Sequence, residues 1–327
     1  MMTGTDTSLS GAPLLEARHL SCAFTVTSGL LRRKINAVRA VDDVSLTILP
    51  GETLGLVGES GCGKSTLARL LLGLTLPDDG EILYQGQPVP PLSSGVPAPF
   101  QMVFQDPFSS LNPRLPVGDS VGEPLLAQHV PNAEIRRRVA GMLEQVGLEQ
   151  AHASRYPHQF SGGQRQRLAI ARALVTSPRF IVCDEAVSAL DASVRAQVLN
   201  LLRDLQKQHG FACLFISHDL AVVGHMADRI AVMYLGRVVE TASRDTLFTN
   251  PAHPYTRALL SSAPTMRVGA KNISPLAGEP PSPLSPPSGC AFHPRCPRAM
   301  AVCKQKRPAL VSLKAGHMAA CHFAGQD

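Results

Sequence analysis

An α/β fold with a central parallel sheet is predicted by three observations. Gly58-Glu59-Ser60-Gly61-Cys62-Gly63-Lys64-Ser65 fits the pattern G-x-x-x-x-G-K-[ST] at every fixed position. The apolar run Thr53–Val57 precedes it, and Leu67, Leu70, Leu71 and Leu74 follow at helical spacing. A second apolar run, Phe180-Ile181-Val182-Cys183, ends in Asp184-Glu185, the pattern of a strand buried on both faces.

Strand, Gly-rich loop and helix together make a phosphate cradle. The glycines let backbone N–H groups turn inward around phosphate oxygens, and the helix start adds a partial positive charge. Lys64 is placed to reach the β- and γ-phosphates, and the Ser65 hydroxyl to ligate Mg²⁺. Gly58, Glu59, Ser60, Gly61, Cys62, Gly63, Lys64, Ser65 and Thr66 are therefore the expected ATP-binding set.

The chain in order supports one such unit with additions. Residues 1–13 are polar, lack an apolar h-region and are expected to be disordered, with no signal peptide. Alternating apolar and polar residues from Leu14 to Ile48 predict antiparallel strands interrupted by a basic loop at Arg32-Arg33-Lys34. The turn Pro77-Asp78-Asp79-Gly80, a strand at Glu81–Tyr84 and a Pro-rich loop from Pro88 to Pro99 follow. Phe100–Phe104 reads as a strand ending at Gln105. Helical pattern runs from Val117 to about Leu148, with Ile135, Val139, Met142, Leu143 and Val146 on one face. Arg165–Val175 and Val194–Gln208 are further helices, and Ala212–Ile216 is a buried strand. Ile230–Tyr234 and Arg237–Glu240 form a hairpin about Leu235-Gly236. The domains expected are 14–250, with a helical insert at about 106–165, and a C-terminal extension over 251–327.

Composition narrows the partners without fixing them. Lys+Arg number 31 against 25 Asp+Glu, a formal net charge of +6, compatible with nucleic acid or an anionic surface. The apolar runs are far shorter than the eighteen or so residues of a membrane span. Of the 8 cysteines, Cys290, Cys296, Cys303 and Cys321 crowd the C-terminus. Disulfides are not expected in a reducing cytosol.

Four further pieces restrict the chemistry. Asp184 fits the carboxylate that holds Mg²⁺, and Glu185 the base that positions an attacking water. Ser161-Gly162-Gly163-Gln164 exposes N–H groups at a second helix start, a second anion site. Two such starts but one lysine-bearing loop suggest a dimer in which each half completes the other's nucleotide site. Taken alone, Ser161 reads as an ordinary N-cap. His218, directly after a buried strand, is placed to bond a γ-phosphate and hold Glu185 and water in line. Gln105 is placed to touch Mg²⁺ or that water.

In that order, Gly58–Ser65, Gln105, Phe160–Gln164, Phe180–Glu185, Ser188-Ala189-Leu190-Asp191 and His218 resemble the ATP-binding subunits of ABC transporters. Phe104–Arg114 and Asn250–Leu260 look like the oligopeptide/dipeptide (also nickel) importer branch, whose C-terminal extension begins around His253-Pro254-Tyr255. The resemblance implies a P-loop NTPase core of ABC ATPase type, with an antiparallel β subdomain, a helical subdomain insert and a C-terminal Pro/Cys-rich extension. It implies that Phe24 stacks on adenine and that Asp191 belongs with the signature residues at a shared ATP site. Mg²⁺ is then expected at Ser65, Gln105 and Asp184. Phe160 and Ala186 stand where many members have Leu and Pro.

The function expected is ATP hydrolysis at the cytoplasmic face of the membrane, driving import of di- or oligopeptides. The partners expected are a second ATP-binding subunit, two permeases docked near Gln105–Arg114 and, indirectly, an external solute-binding protein, with no nucleic acid. Alternatives are a soluble ATPase acting on nucleic acid or the ribosome, and import of nickel or another solute. Cys290, Cys296, Cys303 and Cys321 are separated by five, six and seventeen residues. Four thiolates suit zinc or a [4Fe–4S] cluster. The lack of a C-x₂₋₄-C pair points to the cluster, as does its presence in some members of the branch. His293, His317 and His322 are spare ligands if zinc is held instead, and four reduced thiols is the plain alternative.

Overall fold

The computed structural model describes residues 11–28, 33–90, 100–106, 110–262 and 278–325. The expected disorder over 1–10, the tip of the basic loop at Arg32, residues 91–99 of the Pro-rich loop and Pro107–Ser109 lie outside that set. Two sheets carry the chain. Strands β1 (Leu15–Ser28), β2 (Arg33–Ile48), β4 (Asp79–Tyr84) and β5 (Gln87–Pro88) form an antiparallel sheet in the order β2-β1-β4-β5. Arg33 and Lys34 begin β2 instead of forming a loop, because they pair with Ser28 and Thr27 across the hairpin.

The second sheet has eight strands. Its centre is parallel, in the order β9 (Arg229–Tyr234), β3 (Thr53–Val57), β8 (Ala212–Ile216), β7 (Phe180–Asp184), β6 (Phe100–Val103). On the far side of β9 lie β10 (Arg237–Ser243), β12 (His317–Ala319) and β11 (Val311–Lys314), all antiparallel. The last two come from the C-terminal extension, which the sequence showed only as proline, cysteine and loop.

The continuous apolar runs have their reason in two cores. Phe180, Val182, Leu214 and Ile216 face the core shared with the antiparallel sheet and with helix α1 (Lys64–Leu71). Ile181, Cys183, Cys213 and Phe215 face the opposite core. That second core is built from α4 (Gly162–Leu174), α5 (Ala192–His209), α6 (Leu220–Met226) and the helical insert. Burying each large apolar side chain contributes about 1.5–3 kcal/mol, so a strand covered on both faces keeps apolar residues at every position.

The helical pattern from Val117 to about Leu148 is carried by two helices, α2 (Val117–Ala127) and α3 (Asn132–Gln145). His129 takes φ 58° and Pro131 caps α3, so the chain turns between them. Gly122 lets the pair close: a Cβ there would sit 2.7 Å from Ile135 Cγ2. Helix α7 (Arg244–Thr249) follows β10, and in the extension α8 (Pro254–Ser262) precedes α9 (Ala301–Gln305). Tyr255 and Phe292 are fully buried in the main core. The extension thus shares the core of the chain, although little apolar material was visible in it.

No helix among the described residues is long and apolar enough to cross a membrane.

Candidate functional site

Strand register places the polar residues before any side chain is considered. Leu56 is level with Ile216, Ile216 with Asp184, and Cys183 with Val103. Each of these strands therefore runs out at one edge of the parallel sheet. The residues that follow, Gly58, His218, Glu185 and Gln105, are brought to that edge together. This carboxyl-terminal edge is where open α/β sheets bind ligands.

The phosphate loop runs from β3 into α1. Gly63 caps α1 with φ 107°, and a Cβ there would collide with the Ala40 carbonyl oxygen of β2, so only glycine fits. Lys64 is buried, and its Nζ donates to the carbonyls of Gly58 (2.8 Å) and Glu59 (3.0 Å). The ammonium is held in the mouth of the loop by groups that phosphate oxygens can replace. Ser60, Gly61 and Ser65 are exposed on the open side of the loop, while Cys62 is buried beneath it.

Beside the loop, the Ser65 hydroxyl donates to Asp184 Oδ1 at 3.1 Å. Burial raises the Asp184 pKa, offset by the Ser65 hydrogen bond. A part-buried carboxylate next to a hydroxyl fits a hard divalent ion with oxygen ligands. Glu185 follows with φ 48°, a left-handed conformation that is uncommon for glutamate and concentrates at functional sites. Its N–H donates to Ile216 O at 3.0 Å, and its carbonyl accepts from Ser188 Oγ at 2.9 Å. Its Oε1 lies 3.3 Å from Nδ1 of His218. Gln105 is exposed just beyond β6.

Ser161 is the N-cap of α4. Its Oγ accepts from the Gln164 N–H at 3.3 Å, and its own N–H donates to Gln164 Oε1 at 3.0 Å. The ordinary capping reading of Ser161 is therefore correct as far as it goes, and Ser161 and Gly162 remain exposed as well. Gly163 is buried, and a Cβ on it would collide with Val194. Asp191 caps α5, accepting from the Val194 N–H at 2.9 Å; that bond, ahead of one from Ser193, lowers its pKa. Phe24 stands 46% exposed on the antiparallel sheet, a free aromatic face.

The cysteines are a partial correction. Cys290, Cys296, Cys303 and Cys321 do line one cavity, with His293 and His322, but its volume is about 20 Å³. That is room for a single water. Among the described residues no three His, Cys, Asp or Glu side chains are grouped to hold a metal ion. His317 is engaged elsewhere, its Nε2 2.8 Å from the buried Glu240 carboxylate. A larger cavity of about 770 Å³ lies between the antiparallel sheet and the extension. It reaches Gly61 but not Lys64, Asp184, Glu185 or His218, so it is separate from the phosphate edge.

Sequence reasoning missed two residues that touch the phosphate loop. Tyr255 and Arg295, both from the extension, bond to Glu59. The acidic Glu59 inside a phosphate loop was the available signal, since it calls for a neutralising cation.

Comparison with known proteins agrees with this geometry. Residues 41–188 match the family described as ABC transporter, and residues 239–303 match the oligopeptide/dipeptide transporter C-terminal region. The probable peptide ABC transporter ATP-binding protein y4tS of Sinorhizobium fredii is 51% identical, over 94% of this chain and 89% of that protein. The dipeptide transport ATP-binding protein DppF of Escherichia coli is 49% identical, over 96% of both. Among solved structures, cbiO1 of Clostridium perfringens, part of the ABC transporter complex cbiONQ, superposes with a TM-score of 0.62. It shares 27% identity, over 73% of this chain and 92% of that one. The ATP-binding cassette MJ0796, a dimer bound to ADP and Pi, gives a TM-score of 0.60 at 27% identity, over 70% and 98%.

Proposed function

The chain belongs to the ABC transporter family of ATP-binding proteins, and from that membership we propose that it energises the import of di- and oligopeptides. It is an ATPase of ABC type. The observation that carries the peptide reading is the match to the oligopeptide/dipeptide transporter C-terminal region, together with relatives near 50% identity that are named for peptide transport. A role on nucleic acid, or in nickel import, has no support of this kind.

In the proposed mechanism ATP lies along the sheet edge, with its phosphates in the loop Gly58–Ser65 and adenine against Phe24. Lys64 exchanges the carbonyls of Gly58 and Glu59 for phosphate oxygens. Ser65 and Asp184, with Gln105, would hold Mg²⁺, which would supply positive charge to the phosphates. Glu185 accepts a proton from the attacking water, and His218 keeps that carboxylate in line. Ser161 and Gly163 serve the nucleotide of a second ATP-binding subunit, in our reading a homologous but different chain. The exposure of Ser161 and Gly162 at the start of α4 supports this. Closure would act on two permeases near Gln105–Arg114, at the cytoplasmic face, with a solute-binding protein outside.

Co-expression with the candidate permeases and reconstitution in vesicles tests the reading. Peptide uptake dependent on ATP is expected. ATPase activity that never couples to peptide, but does couple to nickel or nucleic acid, would refute it.

For the four cysteines we propose a [4Fe–4S] site, supported by their convergence on one cavity and by their spacing. Its assembly requires the loops around that cavity to part. Anaerobically purified protein should carry iron and sulfide in equal amounts; zinc, or neither, refutes it.

A further inference from the structure

Glu59 occupies a position the phosphate-loop pattern leaves free, and no phosphate chemistry calls for a carboxylate there. An uncompensated carboxylate in a loop that takes a triphosphate opposes binding. Every polar group of Glu59 is nevertheless engaged, and two of its four partners, Tyr255, Lys64, Cys62 and Arg295, come from the C-terminal extension. Its N–H donates to the Tyr255 hydroxyl oxygen at 2.9 Å. Its carbonyl accepts from Lys64 Nζ at 3.0 Å and from the Cys62 N–H at 3.3 Å. Its carboxylate takes a two-pronged pair from Arg295, Nη1 to Oε2 at 2.7 Å and Nη2 to Oε1 at 2.9 Å.

The grip is built into the core. The Arg295 side chain is 4% exposed against 24% for Glu59, so the guanidinium approaches from inside the protein. Tyr255 is fully buried, its ring 4.6 Å from Tyr234 and 5.4 Å from Phe292, centroid to centroid. Arg295 ends the short turn His293–Arg295, directly after that phenylalanine and directly before Cys296. A paired fork of this kind fixes both charge and orientation. The backbone it fixes is the one whose carbonyl holds Lys64.

We infer that Arg295 and Tyr255 are positioning residues of the ATP site: through Glu59 they fix the phosphate loop and cancel its negative charge, so that the extension sets nucleotide affinity. The inference rests on the reading of the loop as an ATP site.

The test is titration of the purified full chain with a fluorescent ATP analogue and Mg²⁺, alongside thermal melting. Arg295→Gln leaves the Glu59 carboxylate uncompensated, and the Kd should rise about tenfold, equivalent to about 1.4 kcal/mol. Adding Glu59→Gln removes the offending charge and should restore most of that affinity. A merely structural role for Arg295 gains nothing from the second substitution. Tyr255→Phe keeps the ring packing and removes only the acceptor, and should weaken binding about threefold or more. If Arg295→Gln does not fold, Tyr255→Phe decides alone. Wild-type affinity in the variants, or a double variant as weak as Arg295→Gln, overturns the inference. Wild-type protein that binds no nucleotide overturns the ATP reading itself.

Discussion

Glu185 and His218 lie 3.3 Å apart, Oε1 to Nδ1, at the ends of two adjacent parallel strands. The pairing follows from register: Ile216 is level with Asp184, so each strand needs only one or two more residues to bring its side chain to the same edge. The left-handed Glu185 backbone, φ 48°, turns the chain away from the strand at that point.

Glu185→Gln should preserve ATP binding and lower hydrolysis about 10²-fold or more, the range for loss of a positioned base. The amide keeps the shape but accepts no proton from water. Phosphate release from the assembled transporter measures it, and near-normal turnover would remove Glu185 from this role.

Ser161→Arg should leave ATP affinity of the isolated subunit almost unchanged while blocking turnover of the complex. It also removes the cap on α4, so the melting temperature should fall, consistent with a loss of about 1 kcal/mol. A large change in the isolated subunit's own nucleotide affinity would contradict service to a partner's nucleotide.

Gly163→Ala separates packing from phosphate contact. A Cβ there meets Val194 of α5, so α4 and α5 must move apart. Overpacking of this kind costs about 1–3 kcal/mol. Shortening the neighbour in Gly163→Ala/Val194→Ala should recover part of the stability in a thermal melt, and no recovery would put the strain elsewhere.

The sheet edge was legible because its strands are short, apolar and end in polar residues, as Phe180–Glu185 shows. Thr53–Val57 and Ala212–Ile216 stand as expected. The helical insert was legible from the apolar face of Ile135, Val139, Met142, Leu143 and Val146, of which Val139, Met142 and Leu143 are buried within α3. Residues 293–325 were opaque for a different reason. β12 is three residues long and joins the sheet through β10, a contact far away in sequence, with only the short β11 on its other side. The Arg295–Glu59 pair spans 236 residues, and no local pattern announces it.

The burial of His253 yields a pH dependence. Its Nδ1 accepts the Tyr255 N–H at 3.0 Å, and Glu240, also buried, takes N–H groups from Ala252 (2.7 Å) and His253 (2.8 Å). These bonds join β10 to the start of α8, next to the tyrosine that touches the phosphate loop. Burial pushes the His253 pKa down from 6.5 to about 4. The folded state therefore holds it neutral while the unfolded chain takes up a proton. The resulting stability is present above pH 6.5 and is lost as pH falls through 4, by up to about 3 kcal/mol. His253→Asn keeps a side-chain acceptor and does not titrate. Across the window from pH 7 to pH 4, its melting temperature should fall less steeply than that of the wild type. Parallel slopes would mean that His253 does not carry the acid sensitivity.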